Sequence, residues 1–165
     1  PTHGGSIRVY SALKGKYKVS ENVKSLIEQE KAAGLDRVQT YKEFSKKVAQ
    51  SKLKLYSLLS EIKQSGAKVY GIGAPSRAST LISYTGLDNN VLDCVMEIKG
   101  SHKIGKYMPG TKIPVLDEKH LFEDQPEYAL FLSWHISEEL ASNLRKKGYK
   151  GKFVCPLPEP YILDL

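Results

Sequence analysis

The stretch Lys68–Gly86, KVYGIGAPSRASTLISYTG, decides how the rest of the chain is read. Val69, Tyr70 and Ile72 form a short β-prone apolar run, and Gly71 and Gly73 stand where that strand ends. Pro75 suits a first helical position, because its missing N–H would be unpaired there anyway. Ser76, Arg77, Ser79 and Thr80 follow, before Leu81, Ile82 and Tyr84 turn the helix back onto the sheet. A helix start offers unpaired N–H groups and a partial positive charge. Glycines let phosphates approach the backbone, hydroxyls add donors, and a guanidinium forks onto a diphosphate. The stretch therefore predicts strand, glycine turn and helix. It also predicts a nucleotide-phosphate site running from Gly71 through Gly73, Ala74, Pro75, Ser76 and Arg77 to Ser79 and Thr80. The pattern is G-x-G-x-x-S, with Ser76 where a dinucleotide fingerprint carries its third glycine, so spacing alone equally describes a turn built for packing.

Downstream the apolar run Val91–Ile98, VLDCVMEI, reads as a second strand covered on both faces and broken only by Asp93. Glu97 closes it at about the separation where an acidic residue meets a ribose hydroxyl. Lys99–Pro114 follows as a loop with no period, carrying three lysines before its glycine-proline turn, plus His102 and Tyr107. Long loops at the carboxyl ends of parallel strands are where α/β ligand sites gather, although a plain surface connection reads almost as well. Val115 reads as a short strand, and Asp117 caps a brief helix through Phe122. Tyr128–Ser133 is a third clear strand, Ser137 caps a helix over 138–147, and Lys152–Cys155 is the fourth. The closing PLPEPYILDL is proline-broken and reads as a surface tail. Alternating strands and helices predict a Rossmann-like α/β fold, a parallel sheet flanked by helices on both sides.

Upstream, THGGSIRVYSAL alternates Ile7, Val9 and Tyr10 around Arg8, a short strand in need of a partner edge. Ser20 caps a helix to about Ala33, with Val23, Leu26 and Ile27 on one side and Gly34 as its stop. Thr40 and Glu43 form a capping box. A long helix then runs to about Gln64, its apolar stripe made by Tyr41, Phe44, Val48, Leu55, Leu59 and Ile62. The chain thus divides into a linker strand or the end of an upstream domain (1–18), a helical extension (19–66) and the Rossmann-like domain (67–165).

A length of 165 residues, 41% hydrophobic and 26% charged, suits one globular core with such an extension. No apolar run approaches membrane-spanning length and no secretory segment is present, which reads as a cytoplasmic protein without a membrane partner. Cys94 and Cys155 stand far apart in apolar runs, as reduced core residues do. The four histidines show no ligand spacing, so no metal is expected on this chain. The net charge of +7 is uneven: residues 1–67 hold thirteen Lys/Arg and six Asp/Glu, residues 68–165 twelve of each. The lysines alternate with helix-core positions, which describes a solvated helix face rather than a nucleic-acid surface. Pro1 leads straight into the strand-like run without an initiator Met, the look of a piece cut from a longer polypeptide.

No catalytic pair shows itself. Ser76, Ser79 and Thr80 are remote in sequence from any histidine, and His135, after Trp134 at a strand's end, is the one acid–base candidate. The residues alone describe a binding site for a nucleotide-like diphosphate.

Four blocks in order, GIGAPSRASTLISYTGL, VMEIKGSHKIGKYMPGTKIPV, ALFLSWHISEEL and GKFVCPLPEP, resemble the C-terminal domain of the S-adenosylmethionine-dependent sugar C-methyltransferases. The likeness covers nearly the whole chain, and THGGSIRVY resembles the end of that family's methyltransferase domain. The resemblance implies a Rossmann-type domain that helps hold a nucleotide-linked deoxysugar, its sugar directed at a methyl donor on the upstream domain of the same polypeptide. It implies that S-adenosylmethionine, zinc and the catalytic cluster belong to those upstream domains, with no cofactor and no catalysis on this chain alone. Residue by residue, it makes Gly73 to Thr80, Glu97, Lys103, Tyr107 and Pro109 the nucleotide-sugar contacts. The family usually has Lys-Gly-Asn-Thr at Arg77–Thr80, Asp at Glu97 and Asn at His135. The first change keeps charge and donors, the second lengthens the nucleoside contact by a methylene, and together they point to a divergent member. Two other readings compete: an NAD(P)-binding oxidoreductase domain, supported by Glu97, and a non-catalytic domain whose basic helices dock a partner.

Overall fold

The computed structural model describes residues 5–163. Two compact units divide the chain, Pro1–Ala49 and Gln50–Leu165, with the boundary inside a long helix.

In the first unit, helix α1 (Glu21–Ala32) starts after Ser20, whose extended backbone lets its carbonyl accept the Val23 N–H at 3.1 Å without a side-chain cap. It ends on Gly34, at φ +72°, where Gly34 N donates to Lys31 O and Leu35 N to Glu30 O. Helix α2 (Val38–Gln64) begins earlier than a Thr40 cap would allow. Thr40 lies inside it and donates its hydroxyl to Gly34 O at 2.7 Å, while Glu43 accepts from Gln39 Nε2, so the expected capping box is not formed. The strand expected around Ile7–Tyr10 is not formed either: residues 5–12 have no regular structure and their apolar side chains are exposed. A lone strand leaves both rows of backbone groups unpaired, and β propensity cannot offset that. The Thr2–Gly4 part of that expectation lies outside the described residues.

The second unit is a six-stranded sheet: β1 (Val69–Ile72), β2 (Cys94–Glu97), β3 (Val115–Asp117), β4 (Tyr128–Phe131), β5 (Lys152–Cys155) and β6 (Tyr161–Leu163). Their spatial order is β3-β2-β1-β4-β5-β6, parallel throughout except for β6, which pairs antiparallel with β5. The Rossmann-like α/β fold is as expected. The chain leaves β1 toward β2 on one side and later returns to β4 on the other, so β1 and β4 flank the topological switch point.

Both faces are covered, which explains the near-continuous apolar strands. Leu55, Leu59 and Ile62 of α2, with Ala78, Leu81 and Ile82 of α3 (Ser76–Thr85), pack on Val69, Val95, Leu130 and Val154. The opposite layer joins Leu121 of α4 (Lys119–Asp124) and Ala141 and Leu144 of α5 (Ser137–Lys146) to Tyr70, Met96, Phe131 and Phe153. Each large apolar side chain so buried contributes roughly 1.5–3 kcal/mol.

Three connections differ from the sequence expectation. Residues 88–92 form a turn, with Val91 N and Leu92 N both on Asp88 O, so the second strand begins only at Cys94. Asp93 is freed from the strand: it accepts Val69 N at 2.7 Å and Lys63 Nζ at 2.9 Å, tying α2 to the starts of β1 and β2. The expected surface tail is instead β6, held further by Ser51 Oγ donating to Pro158 O and by the Lys54–Glu159 ion pair. Helix α5 is entered through a 3-10 turn, Trp134–Ile136, and Ser137 is its first residue rather than a side-chain cap.

Candidate functional site

At the carboxyl end of β1 the chain turns through Gly73, at φ +79°, which only glycine adopts without strain. Gly73 is doubly constrained, since a Cβ there would stand 3.0 Å from Ser133 Oγ. The turn therefore closes directly against the end of β4. Pro75 follows in extended geometry and α3 starts at Ser76. The amides divide by task. Gly73 N continues the ladder to Met96 O at 2.8 Å, Ala74 N donates to Glu97 Oε2 at 3.3 Å, and Ala78 N reaches Pro75 O at 2.9 Å. Ser76 and Arg77 stand in the first turn of α3, at the positive end of its dipole.

Glu97, at the end of β2, is held in place rather than left in solvent. Its Oε1 accepts Ile98 N at 3.1 Å, and its Oε2 accepts Ala74 N and Lys103 Nζ, the latter at 3.2 Å. Lys103 also donates to Ala74 O at 2.7 Å. Lys103, Glu97 and Ala74 thus form a closed clasp joining the 99–114 loop to the glycine turn. The Glu97 side chain is only 12% exposed. On the far wall, Arg77 of α3 lies over the Trp134 ring, 5.8 Å from its centroid. This pairing spans the switch point from the β1 side to the β4 side. The crevice carries Glu97 against Lys103 and Arg77, a local excess of one positive charge.

The structure brings together Gly73, Ala74, Pro75, Ser76, Arg77, Glu97 and Lys103. Ser79 sits half-buried at the end of the first turn of α3, and Thr80 lies a full turn from Ser76, exposed. Gly71 is buried inside β1, where a Cβ would stand 2.9 Å from Leu132 and 3.0 Å from Val95, so close packing alone requires a glycine there. Tyr107 and Pro109 lie further along the loop that carries Lys103. Their loop is ordered against β3, with Gly105 N on Val115 O, Met108 N on Ile113 O and a bridge from Tyr107 to Pro114. That places Tyr107, 65% exposed, at the sheet edge beyond β2. Sequence reasoning left Ser133 and Trp134 out of the site, although an aromatic residue directly after an apolar strand was the available signal.

A second concavity, of about 500 Å³, lies at the opposite end of the sheet. It is lined by Ser65–Ala67, Glu127, Tyr128 and Lys150–Lys152, at the amino ends of β1, β4 and β5. Ligands of open α/β sheets sit outside the carboxyl ends of the strands, which favours the glycine-turn crevice. Among the described residues no group of three His, Cys, Asp or Glu side chains is placed to hold a metal ion, and no helix is long and apolar enough to cross a membrane.

A family model described as the C-methyltransferase C-terminal domain matches residues 1–158. The chain belongs to that family. As a C-methyltransferase C-terminal domain, it is similar to C-methyltransferase NovU of Streptomyces niveus, with 28% identity over 164 residues. That match covers 98% of this chain and 39% of NovU, so the chain spans about two fifths of the length of the curated relative it matches.

Proposed function

We propose that this C-methyltransferase C-terminal domain binds a nucleotide-linked sugar at the β1–β4 crevice and presents it to a methyltransferase segment of the same polypeptide. The observation that supports this most is the start of α3, opened by Gly73 and Pro75 at the switch point, with Arg77 beside it over Trp134. A diphosphate lies against the start of α3 and takes the Arg77 guanidinium, whose in-plane donors match phosphate oxygens. Lys103 offsets Glu97, so the carboxylate does not repel the anion at close range. Glu97 has acceptor capacity for about four hydrogens and three are committed, which leaves room for a sugar hydroxyl of the nucleoside. The methyl donor, S-adenosylmethionine, supplies an electrophilic methyl group on the rest of the polypeptide, and no step of transfer falls to the residues described here.

Calorimetric titration of the chain with a nucleoside diphosphate-sugar tests this reading. Arg77→Ala is expected to lose about 1.5–3 kcal/mol, the usual contribution of a charged hydrogen bond. Equal affinity of the two proteins would contradict it. The NAD(P) reading draws on the same strand order and on Glu97 at the end of β2. Titration with NADH, followed by fluorescence, separates the two: tight NADH binding with no response to nucleotide-sugar favours the dinucleotide.

A further inference from the structure

The first unit carries an apolar surface that its own residues do not cover. No side chain of α1 is buried, although Val23, Leu26 and Ile27 recur at helical spacing on one face, the last 46% exposed. The α2 residues of this unit repeat the pattern: Val38, Tyr41 and Phe44 follow at three-residue steps, with Phe44 64% exposed. Amphipathic helices are stable because such a stripe is packed, and contiguous apolar surface of this kind marks an interface. Around these residues, 1–49 hold ten Lys/Arg against five Asp/Glu.

We propose that these faces of α1 and the first turns of α2 are the docking surface for the methyltransferase segment of the same polypeptide, through an apolar patch rimmed by acidic side chains. This rests on the reading of the chain as one part of a longer methyltransferase. The occupant follows from the comparison, since the matched stretch accounts for 39% of NovU and the family model describes a C-terminal domain. The excess of basic residues in this unit selects acidic residues around the partner's patch and steers the two together.

Hydrogen–deuterium exchange on residues 1–165 alone, and on the full polypeptide that carries them, tests the proposal at two protein concentrations. Amides of α1 are expected to exchange at least about tenfold more slowly in the full polypeptide. Leu26→Lys combined with Phe44→Lys is expected to restore the fast rate there while leaving the melting temperature of residues 1–165 unchanged. Equal rates in the two proteins overturn the proposal, as does a native polypeptide without a methyltransferase segment. Protection already present in residues 1–165 overturns it too: independent of concentration it assigns the cover to the chain's own α/β unit, and rising with concentration to a second copy. The Arg77 titration does not depend on this surface, so failure here leaves the nucleotide-sugar reading to its own test.

Discussion

Glu97 stands in the sequence as the acidic residue that closes the second strand, and it is the last residue of β2. What the sequence could not display is the clasp, because Lys103 reaches it from six residues away across a loop and Ala74 from twenty-three. Removing the carboxylate in Glu97→Ala takes the acceptor from the Ala74 and Ile98 amides and leaves Lys103 only Ala74 O, and is expected to lower stability by about 2 kcal/mol in urea unfolding. Glu97→Gln keeps an acceptor and is expected to cost about half as much. Gly151 makes a sharper case, since an added Cβ would stand 2.3 Å from both Pro126 O and Tyr149 Oη. A backbone carbonyl cannot swing aside, so Gly151→Ala is expected to lose about 3 kcal/mol or more by the same measurement. Burial pushes the Cys94 thiol from 9.0 up to about 12, with the Asp93 charge adding to it. The folded chain therefore holds that proton where the unfolded chain has released it. Stability is expected to be unaffected by this group below pH 9 and to fall as pH rises from 9 to 12, by up to about 1.4 kcal/mol per pH unit. Burial also raises Tyr70 and Tyr149, which steepens the alkaline loss. Thermal unfolding across that range checks it.

At the scale of elements, the local signals were legible and the long-range ones were not. The glycine turn, the helix after it and the apolar strands follow from periodicity and from Gly and Pro placement, although Pro75 caps α3 instead of opening it and β2 is shortened to Cys94–Glu97. β6 was hidden because prolines at 156, 158 and 160 break the pattern and the strand forms by pairing with β5, far from any local signal. Ile7–Tyr10 misled in the opposite direction, having β-prone alternation but no edge to pair with. A chain ending at Pro158 is expected to expose the β5 edge and aggregate, visible as light scattering under conditions where the intact chain stays clear. Asp93, read only as an interruption, is the link between α2 and β1. Asp93→Ala leaves Val69 N and Lys63 without their acceptor and is expected to cost about 2–3 kcal/mol, with Asp93→Asn intermediate.

For the molecule as a whole, alternating strands and helices announced a Rossmann-like α/β sheet, but not the strand order that sets β1 beside β4. That order is why Ser133 and Trp134, sixty residues from the glycine turn, line the same crevice. It also puts β3, against which Tyr107 bridges to Pro114, at the edge of the sheet. The chain divides into its two compact units inside α2, between Ala49 and Gln50. Lys42, Lys46 and Lys47 are exposed in a unit whose described residues bury no side chain, so limited trypsin digestion is expected to leave a resistant fragment beginning near Lys47.

The measurement that bears most directly on the crevice is an amide NMR titration of the chain with a nucleoside diphosphate-sugar. The account predicts shifts concentrated at Gly73, Ser76, Arg77 and the Trp134 indole. Shifts confined to residues 65–67 and 150–152 at the other end of the sheet, or none at all, would contradict it.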